Sequence, residues 1–476
     1  MGINLSLLSI EILTAILGLA ILVLGLVVPS NARRGVGYVT CLFLLGILGA
    51  SILTWDNVGT VFGGMYIVDQ YSIFFKQIFI IAAILVVMGS MRYVNEMGSQ
   101  SEYYSMLVFT LLGMMVMASA GDFITLYLGL ELMTIAFCIL VCFRKLETKS
   151  VEAGIKYILL AGMSSAVLLY GMSLIYGLTG TVQINEIAGI VKQGTASPLL
   201  LLGVVMLIAG FGFKISAVPF HMWSPDVYEG APTPVTSFLA VGSKAASFAI
   251  ILRVFVGALP GIFSSWSMVV AILAAVTIII GNLVAIPQTN IKRMLAYSSI
   301  GQAGYILVGL VAATEAGIKG VMFYALLYVF STVGAFTVVS SVFDAIGSEE
   351  IKDYAGLSQR APLLAAVLTM SMLSMAGIPP LAGFVGKFYL FSTIVDNYLW
   401  LVFIGLVMSM ISVYYYLRVA LVIYRDKPLD ETPITVSSSV AITLIITMVI
   451  TVILGVYPGP VAEISNTAAH SFFFLP

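Results

Sequence analysis

"GFGFKISAVPFHMWSPDVYEGAPTP", residues 210–234, follows an apolar run of membrane-helix length, yet sets Lys214 in mid-run, Pro219 five residues later and then His221. An ammonium group at that depth is costly. Pro219 has no backbone donor, and its ring clashes with the carbonyl of Ile215, so the helix is interrupted just after Lys214. Non-helical backbone at membrane depth survives only where it is buried in protein or lines a hydrated cavity. The stretch predicts a discontinuous transmembrane helix with a lysine at the break.

The rest of the chain fits that setting. Of 476 residues, 61% are hydrophobic and 9% charged, where a soluble domain carries about a quarter charged residues. Mean hydropathy is +1.10. The net charge of -1 leaves no basic excess of the kind nucleic acid demands. Cys41, Cys138 and Cys142 lie in apolar runs with no C-x-x-C pair, and His221 and His470 are the only histidines. Neither a disulfide frame nor an iron–sulfur, zinc or histidine-based metal centre is written here. The N-terminus has no basic n-region and contains Glu11, so it reads as a retained first helix, and the M-G-x-x-x-S match at Met1–Ser6 reads as chance.

Apolar stretches of spanning length predict an all-α polytopic membrane protein with about fourteen transmembrane helices. Their starts fall near residues 4, 35, 71, 103, 122, 151, 199, 232, 262, 292, 316, 361, 397 and 436, and no hydrophilic domain is left over. Twelve Lys and Arg lie in loops after odd-numbered helices and two, Lys192 and Lys319, after even-numbered ones. By the positive-inside rule both termini then face the outer side of the membrane.

Seven basic residues remain inside or at the ends of spans. Arg253, Arg418 and Lys76 sit near helix ends and read as snorkelling to the headgroups. Lys156 stands four residues after Glu152, so an i,i+4 surface pair competes with a functional role. Lys214, Lys244 and Lys387 are far from either end, and each costs about 2.5 to 3.5 kcal/mol at the bilayer centre on insertion scales. Glu131 reads as the one acidic residue of comparable depth, with a lysine as its natural partner; a static ion pair is the plain alternative.

A second break precedes Lys387, where "SMAGIPPLAGFVGKFYLF" carries Pro379, Pro380, Gly383 and Gly386. The two broken helices are the seventh and twelfth, five apart, and so run in opposite directions. That is the signature of an inverted repeat, helices 4–8 matching 9–13. The expected segments are 1–102 (helices 1–3), 103–258 (first repeat), 259–426 (second repeat) and 427–476 (helix 14).

Burial lowers a lysine's hold on its proton and a nearby carboxylate restores it, so a Glu131–Lys214 pair is a switch that passes a proton toward Lys244. His221, about two helical turns beyond Lys214, is either a relay or a helix-end histidine bonded to a carbonyl. No phosphate-binding loop is present, so the work of moving charge comes from a partner subunit or an ion gradient.

"FKISAVPFHMWSPDVYEGAPTPVTSFLAVGSKAASFA", with "LELMTI", "NIKRMLAYSSIGQAGYILVG" and "GIPPLAGFVGKFYLF", resembles the antiporter-like subunits of respiratory complex I, the proton-pumping NADH:quinone oxidoreductase, of the subunit N (subunit 2) type. The resemblance implies a proton-translocating subunit with a central polar axis. Glu131, Lys214, Lys244 and Lys387 match its proton-transfer residues, and His221 and Lys156 secondary relays. Lysine rather than glutamate at 387, and no long lateral helix before Pro476, favour type N over M and L. It also implies that FMN, iron–sulfur clusters and quinone sit on partner subunits, with subunits M and K as neighbours in a bacterial inner membrane. A subunit of a multisubunit Na+/H+ antiporter is the alternative function, and a passive membrane-arm scaffold the second.

Overall fold

A backbone in hydrocarbon must satisfy its N–H and C=O groups within its own segment, and the apolar runs accordingly become helices. The computed structural model describes residues 4–29, 33–194, 196–428 and 430–473; Met1 and Gly2 of the myristoylation-like match lie outside them. In chain order the helices are α1 (Ser9–Val27), α2 (Val36–Leu53), α3 (Gln70–Met97), α4 (Gln100–Ala118), α5 (Phe123–Val141), α6 (Thr148–Thr179) and α7 (Ile184–Gln193). Then come α8 (Pro198–Lys214), α9 (Trp223–Gly230), α10 (Thr233–Phe238), α11 (Lys244–Leu252), α12 (Phe263–Ala285), α13 (Ile291–Ala312) and α14 (Glu315–Ile346). The chain continues through α15 (Leu357–Arg360), α16 (Pro362–Ala376), α17 (Ala382–Ser392), α18 (Leu399–Arg425), α19 (Ser438–Val456) and α20 (Gly459–Phe473). One antiparallel hairpin, β1 (Gly59–Val61) and β2 (Tyr66–Val68), pairs Val61 with Tyr66 ahead of α3.

Among the described residues, twelve helical runs are long and apolar enough to cross a membrane, and α8 and α16 are shorter apolar helices. Each short helix is followed, after a break, by a second half, α9 or α17. Counting each interrupted pair once gives the expected fourteen crossings, every one starting within three residues of its expected position. The amphipathic α7 and the terminal α20 are additional to them.

Side chains set the helix ends. Asp69 caps α3 by accepting from Ser72 N at 2.8 Å, and Asp122 caps α5 by accepting from Thr125 N at 2.7 Å. Asn290 accepts from the N–H groups of Lys292 and Arg293 at the start of α13. At the second break Gly377 ends α16 with φ 86°, a left-handed conformation that glycine adopts without strain. Val218–Pro219 and Pro379–Pro380 are cis peptides.

The run Thr233–Ala258 occupies the centre: its apolar window is 100% buried, against 33% for α1 and α18. Two π-helical stretches, Leu239–Ser243 and Arg253–Ala258, flank α11, so Lys244 follows directly on a widened turn of the kind often found at functional sites. The halves of the second broken helix meet tightly. A Cβ on Gly383 would lie 1.7 Å from the Ser374 carbonyl oxygen, a backbone atom that cannot yield. Gly383→Ala is therefore expected to part α16 from α17 and cost at least about 1 to 3 kcal/mol, the scale of overpacking a core. The yield and thermal stability of the assembled complex in detergent check it.

Candidate functional site

Lys214 is the last residue of α8, and its side chain turns into the bundle at 4% exposure. Its ammonium donates to Thr134 Oγ1 of α5 at 2.9 Å. The break's freed backbone groups are satisfied locally, since Trp223 Nε1 donates to Phe213 O at 2.9 Å and Val218 N to Thr277 Oγ1 at 3.0 Å. The expected Glu131–Lys214 ion pair does not form. Thr134, about one turn further along the same face of α5, takes the ammonium, and Glu131 Oε1 is left buried without a partner. Pro219 is exposed and lines an apolar groove of about 300 Å³ with Leu160, Met163 and Phe220. The break thus opens on the outer face of the bundle, whereas the lysine points inward.

Lys244 is 2% exposed, and its ammonium donates to Ser299 O at 2.7 Å and to Ser299 Oγ. Tyr328 OH donates to the same Oγ at 2.9 Å. From the neighbouring Ser298 the polar contacts continue: its hydroxyl bonds Tyr416 OH, Gln302 Nε2 donates to Tyr416 OH at 3.3 Å, and the same amide donates to Met375 O at 2.9 Å. That carbonyl also accepts from Lys387 Nζ at 3.1 Å. Lys387, 5% exposed, further donates to Ala376 O at 3.0 Å and to Ser409 Oγ at 2.8 Å, with its ammonium 4.4 Å from the centre of the Tyr305 ring. It borders a groove of about 670 Å³ walled by Phe384, Phe388, Leu406 and Met410.

A buried polar seam therefore joins the surroundings of Lys244 to Lys387. α13 builds its middle from Ser298, Ser299, Gln302 and Tyr305, all at most 2% exposed. Residues i, i+4 and i+7 share one helix face. That spacing is legible in "YSSIGQAGY", but a search for buried charges alone passes over it.

The remaining candidates stand apart from the seam. Lys156, 40% exposed along its side chain, pairs with Glu152 at 2.8 Å and with Asp226 at 2.7 Å. Arg293 joins Asp226 and Glu229, each at 2.9 Å, and Lys149 meets Glu229 at 3.2 Å. Such half-exposed pairs contribute little stability each, so Lys156 belongs to a solvated charge network at one end of the bundle. His221 lies in the first break, half-buried, with Nδ1 lacking a partner and no hydrogen bond to Lys214 or Lys244.

Two residues expected to snorkel do not. Arg253 is 3% exposed and pairs with Asp69 at 2.7 Å, while its Nε donates to Ala118 O at 2.8 Å. Lys76 is 0% exposed and lies 2.8 Å from Glu11, a buried acid near the start of α1. In both cases a buried carboxylate from another segment takes the cation, and the Tyr66 ring of the hairpin stands 5.4 Å from the Lys76 ammonium. Arg418 bonds the carbonyls of Ile286 and Gln288, closing the end of α12. Among the described residues no group of three or more His, Cys, Asp or Glu is placed to hold a metal ion.

Many helical spans, two interrupted helices and lysines buried beside a polar seam define a polytopic membrane subunit of the antiporter-like type. The chain belongs to the family of NADH:quinone oxidoreductase/Mrp antiporter transmembrane subunits, which residues 120–412 match. It is 67% identical over 473 residues to NADH-quinone oxidoreductase subunit N of Desulforamulus reducens, covering 99% of each chain. The same subunit of Heliobacterium modesticaldum is 57% identical over 476 residues, covering 99% of this chain and 100% of that one. Among solved structures, a chain of respiratory complex I from Thermus thermophilus with bound aureothin matches at TM-score 0.83 and 32% identity, covering 95% of this chain and 98% of that one. A chain of the Mrp complex from Dietzia sp. DQ12-45-1b matches at TM-score 0.87 and 20% identity, covering 99% and 98%, a likeness of fold alone.

Proposed function

We propose that the chain is the proton-translocating subunit N of an NADH:quinone oxidoreductase, moving protons along Glu131, Lys214, Lys244 and Lys387 with work delivered by quinone reduction in partner subunits. The observation that carries this reading is the row of buried polar groups along α13: Lys244 and Tyr328 meet at Ser299, and from the adjacent Ser298 a separate set of hydrogen bonds runs through Tyr416 and the Gln302 amide to the Met375 carbonyl that Lys387 also meets. Proton transfer needs groups that both accept and donate, which the serine and tyrosine hydroxyls do; the Gln302 amide donates in both these bonds and the Met375 carbonyl only accepts, so these two position the row and do not relay. The Lys214 and Lys244 ammonium groups both donate to hydroxyl or carbonyl oxygens.

In this reading Glu131 swings toward Lys214 in one state and leaves it to Thr134 in the other, so that the present arrangement is the open pair. Lys156 gathers protons within the charge network, and His221 is a secondary relay beside the break. The two inverted repeats cover residues 103–258 and 259–426, flanked by 1–102 and 427–476. FMN, iron–sulfur clusters and quinone reside on partner subunits, and subunits M and K adjoin this one. The chain lies in a bacterial inner membrane with both termini outside, which the distribution of basic loop residues supports.

The exchange of sodium for protons is tested directly. Proteoliposomes of the parent complex in which sodium is replaced by choline are expected to pump protons at the full rate per quinone reduced. A pumping rate that collapses without sodium assigns the chain to antiport instead.

A further inference from the structure

A second polar cluster lies outside the seam, beneath the β1–β2 hairpin. Lys76 of α3 meets Glu11 of α1 at 2.8 Å, and Asp69 meets Arg253 at 2.7 Å. All four are buried, at 0%, 7%, 2% and 3% exposure. Tyr66 of β2 adds its hydroxyl, which faces Glu11 and Ser119 without closing a hydrogen bond to either, and its ring centre is 5.4 Å from the Lys76 ammonium. Leu7, Val61, Val68 and Ile73 pack beside Tyr66 as an apolar roof.

The cluster is short of hydrogen bonds. Lys76 Nζ, both Glu11 carboxylate oxygens, Tyr66 OH, Ser119 Oγ and Asp69 Oδ2 are all buried without a directed hydrogen-bond partner. The Lys76 and Glu11 charges touch but are not aligned for a hydrogen bond. Charges withdrawn from water are tolerated only when their remaining donors and acceptors are met, and buried polar groups almost always find a protein or water partner. Orphaned donors and acceptors gathered at one place are what bound water satisfies, since a buried water takes about three such partners.

We propose that this cluster is a water-holding, protonatable site separate from the seam, in which the Glu11–Lys76 pair stores a proton on the hairpin side of the bundle. As ammonium and carboxylate the pair holds one exchangeable proton. A second, arriving over the waters, converts Glu11 to the carboxylic acid, and its loss restores the pair. Arg253 stands nine residues beyond Lys244 on the same helical run, about 14 Å along its axis, which sets the cluster between Lys244 and the hairpin end. The water site stands on the orphaned atoms alone; its use in pumping rests on the proton-translocation reading.

Hydroxyl-radical footprinting of the wild-type complex by X-ray radiolysis tests the water, because bound water generates radicals in place. Tyr66, 5% exposed, is expected to be modified several-fold faster than Phe74 and Tyr93 of α3, exposed at 4% and 3%, after correction for intrinsic reactivity. A Tyr66 rate as slow as theirs overturns the proposal. The neutral double variant Glu11→Gln/Lys76→Met, which leaves no lone charge, tests the proton store. It is expected to lower protons pumped per quinone reduced, and a wild-type ratio from the assembled complex overturns that role. Should the variant fail to assemble, the wild-type footprint decides the water site and the single variant Glu11→Gln, which keeps the volume, decides the store by the same ratio. The footprint does not depend on pumping, so pumping that proves unaffected by Lys214→Ala leaves the footprint's answer on the water site unchanged.

Discussion

Replacing Arg253 with methionine is expected to destabilise the fold by about 3 to 5 kcal/mol, the scale of removing one partner from a buried ion pair. Asp69 is 2% exposed, and the guanidinium 2.7 Å away is its salt-bridge partner. Without it a carboxylate sits in a low-dielectric interior with only its cap on α3 to stabilise it. Arg253 also ties α4 to the central run through the Ala118 carbonyl and lies 4.8 Å from the centre of the Tyr71 ring, so packing is lost along with charge. The double variant Asp69→Asn/Arg253→Met keeps the volume and removes both charges, and is expected to recover much of the loss. Thermal unfolding of the detergent-solubilised complex, with the yield of assembled complex, measures both.

Lys244→Met is the second large effect. Methionine fills nearly the same space but offers no proton and no donor to Ser299. A path that runs through Lys244 then lacks its proton carrier, and each 1.36 kcal/mol added to a barrier is tenfold in rate. Pumping is therefore expected to fall by at least about tenfold. Because Ser299 still accepts from Tyr328 at 2.9 Å, the variant leaves no buried hydroxyl stranded, and the complex is expected to assemble normally. Proton uptake by proteoliposomes at matched amounts of complex is the check. Unchanged pumping would place Lys244 off the path.

The parts legible in the sequence were those written by local pattern. Apolar run lengths gave the spans to within three residues, and prolines and glycines at 219, 379, 380 and 383 marked both interruptions. The depth of Lys214, Lys244 and Lys387 singled them out because a charge far from either end of its apolar run has no route to the headgroups, and all three are at most 5% exposed. What stayed hidden depends on which helices become neighbours. Lys76 and Arg253 look like helix-end residues along the chain, and only the reach of Glu11 from α1 to Lys76 and of Asp69 to the central run shows them held inward. That Lys214 rests on Thr134 here was hidden for a similar reason: two groups of opposite charge at matching depth do not reveal that a threonine hydroxyl takes the ammonium. The serines, glutamine and tyrosine of α13 were within reach of sequence reasoning, since their spacing marks a single polar face in an otherwise apolar helix.

The proton path is tested most directly by Lys214→Ala in the intact parent complex, reconstituted in proteoliposomes, with proton pumping and quinone reduction recorded in the same vesicles. The account predicts that pumping falls, with quinone reduction lowered alongside it or running on uncoupled. Pumping and quinone reduction that both match wild type, in a complex that assembles normally, would make Lys214 a structural charge and contradict the account.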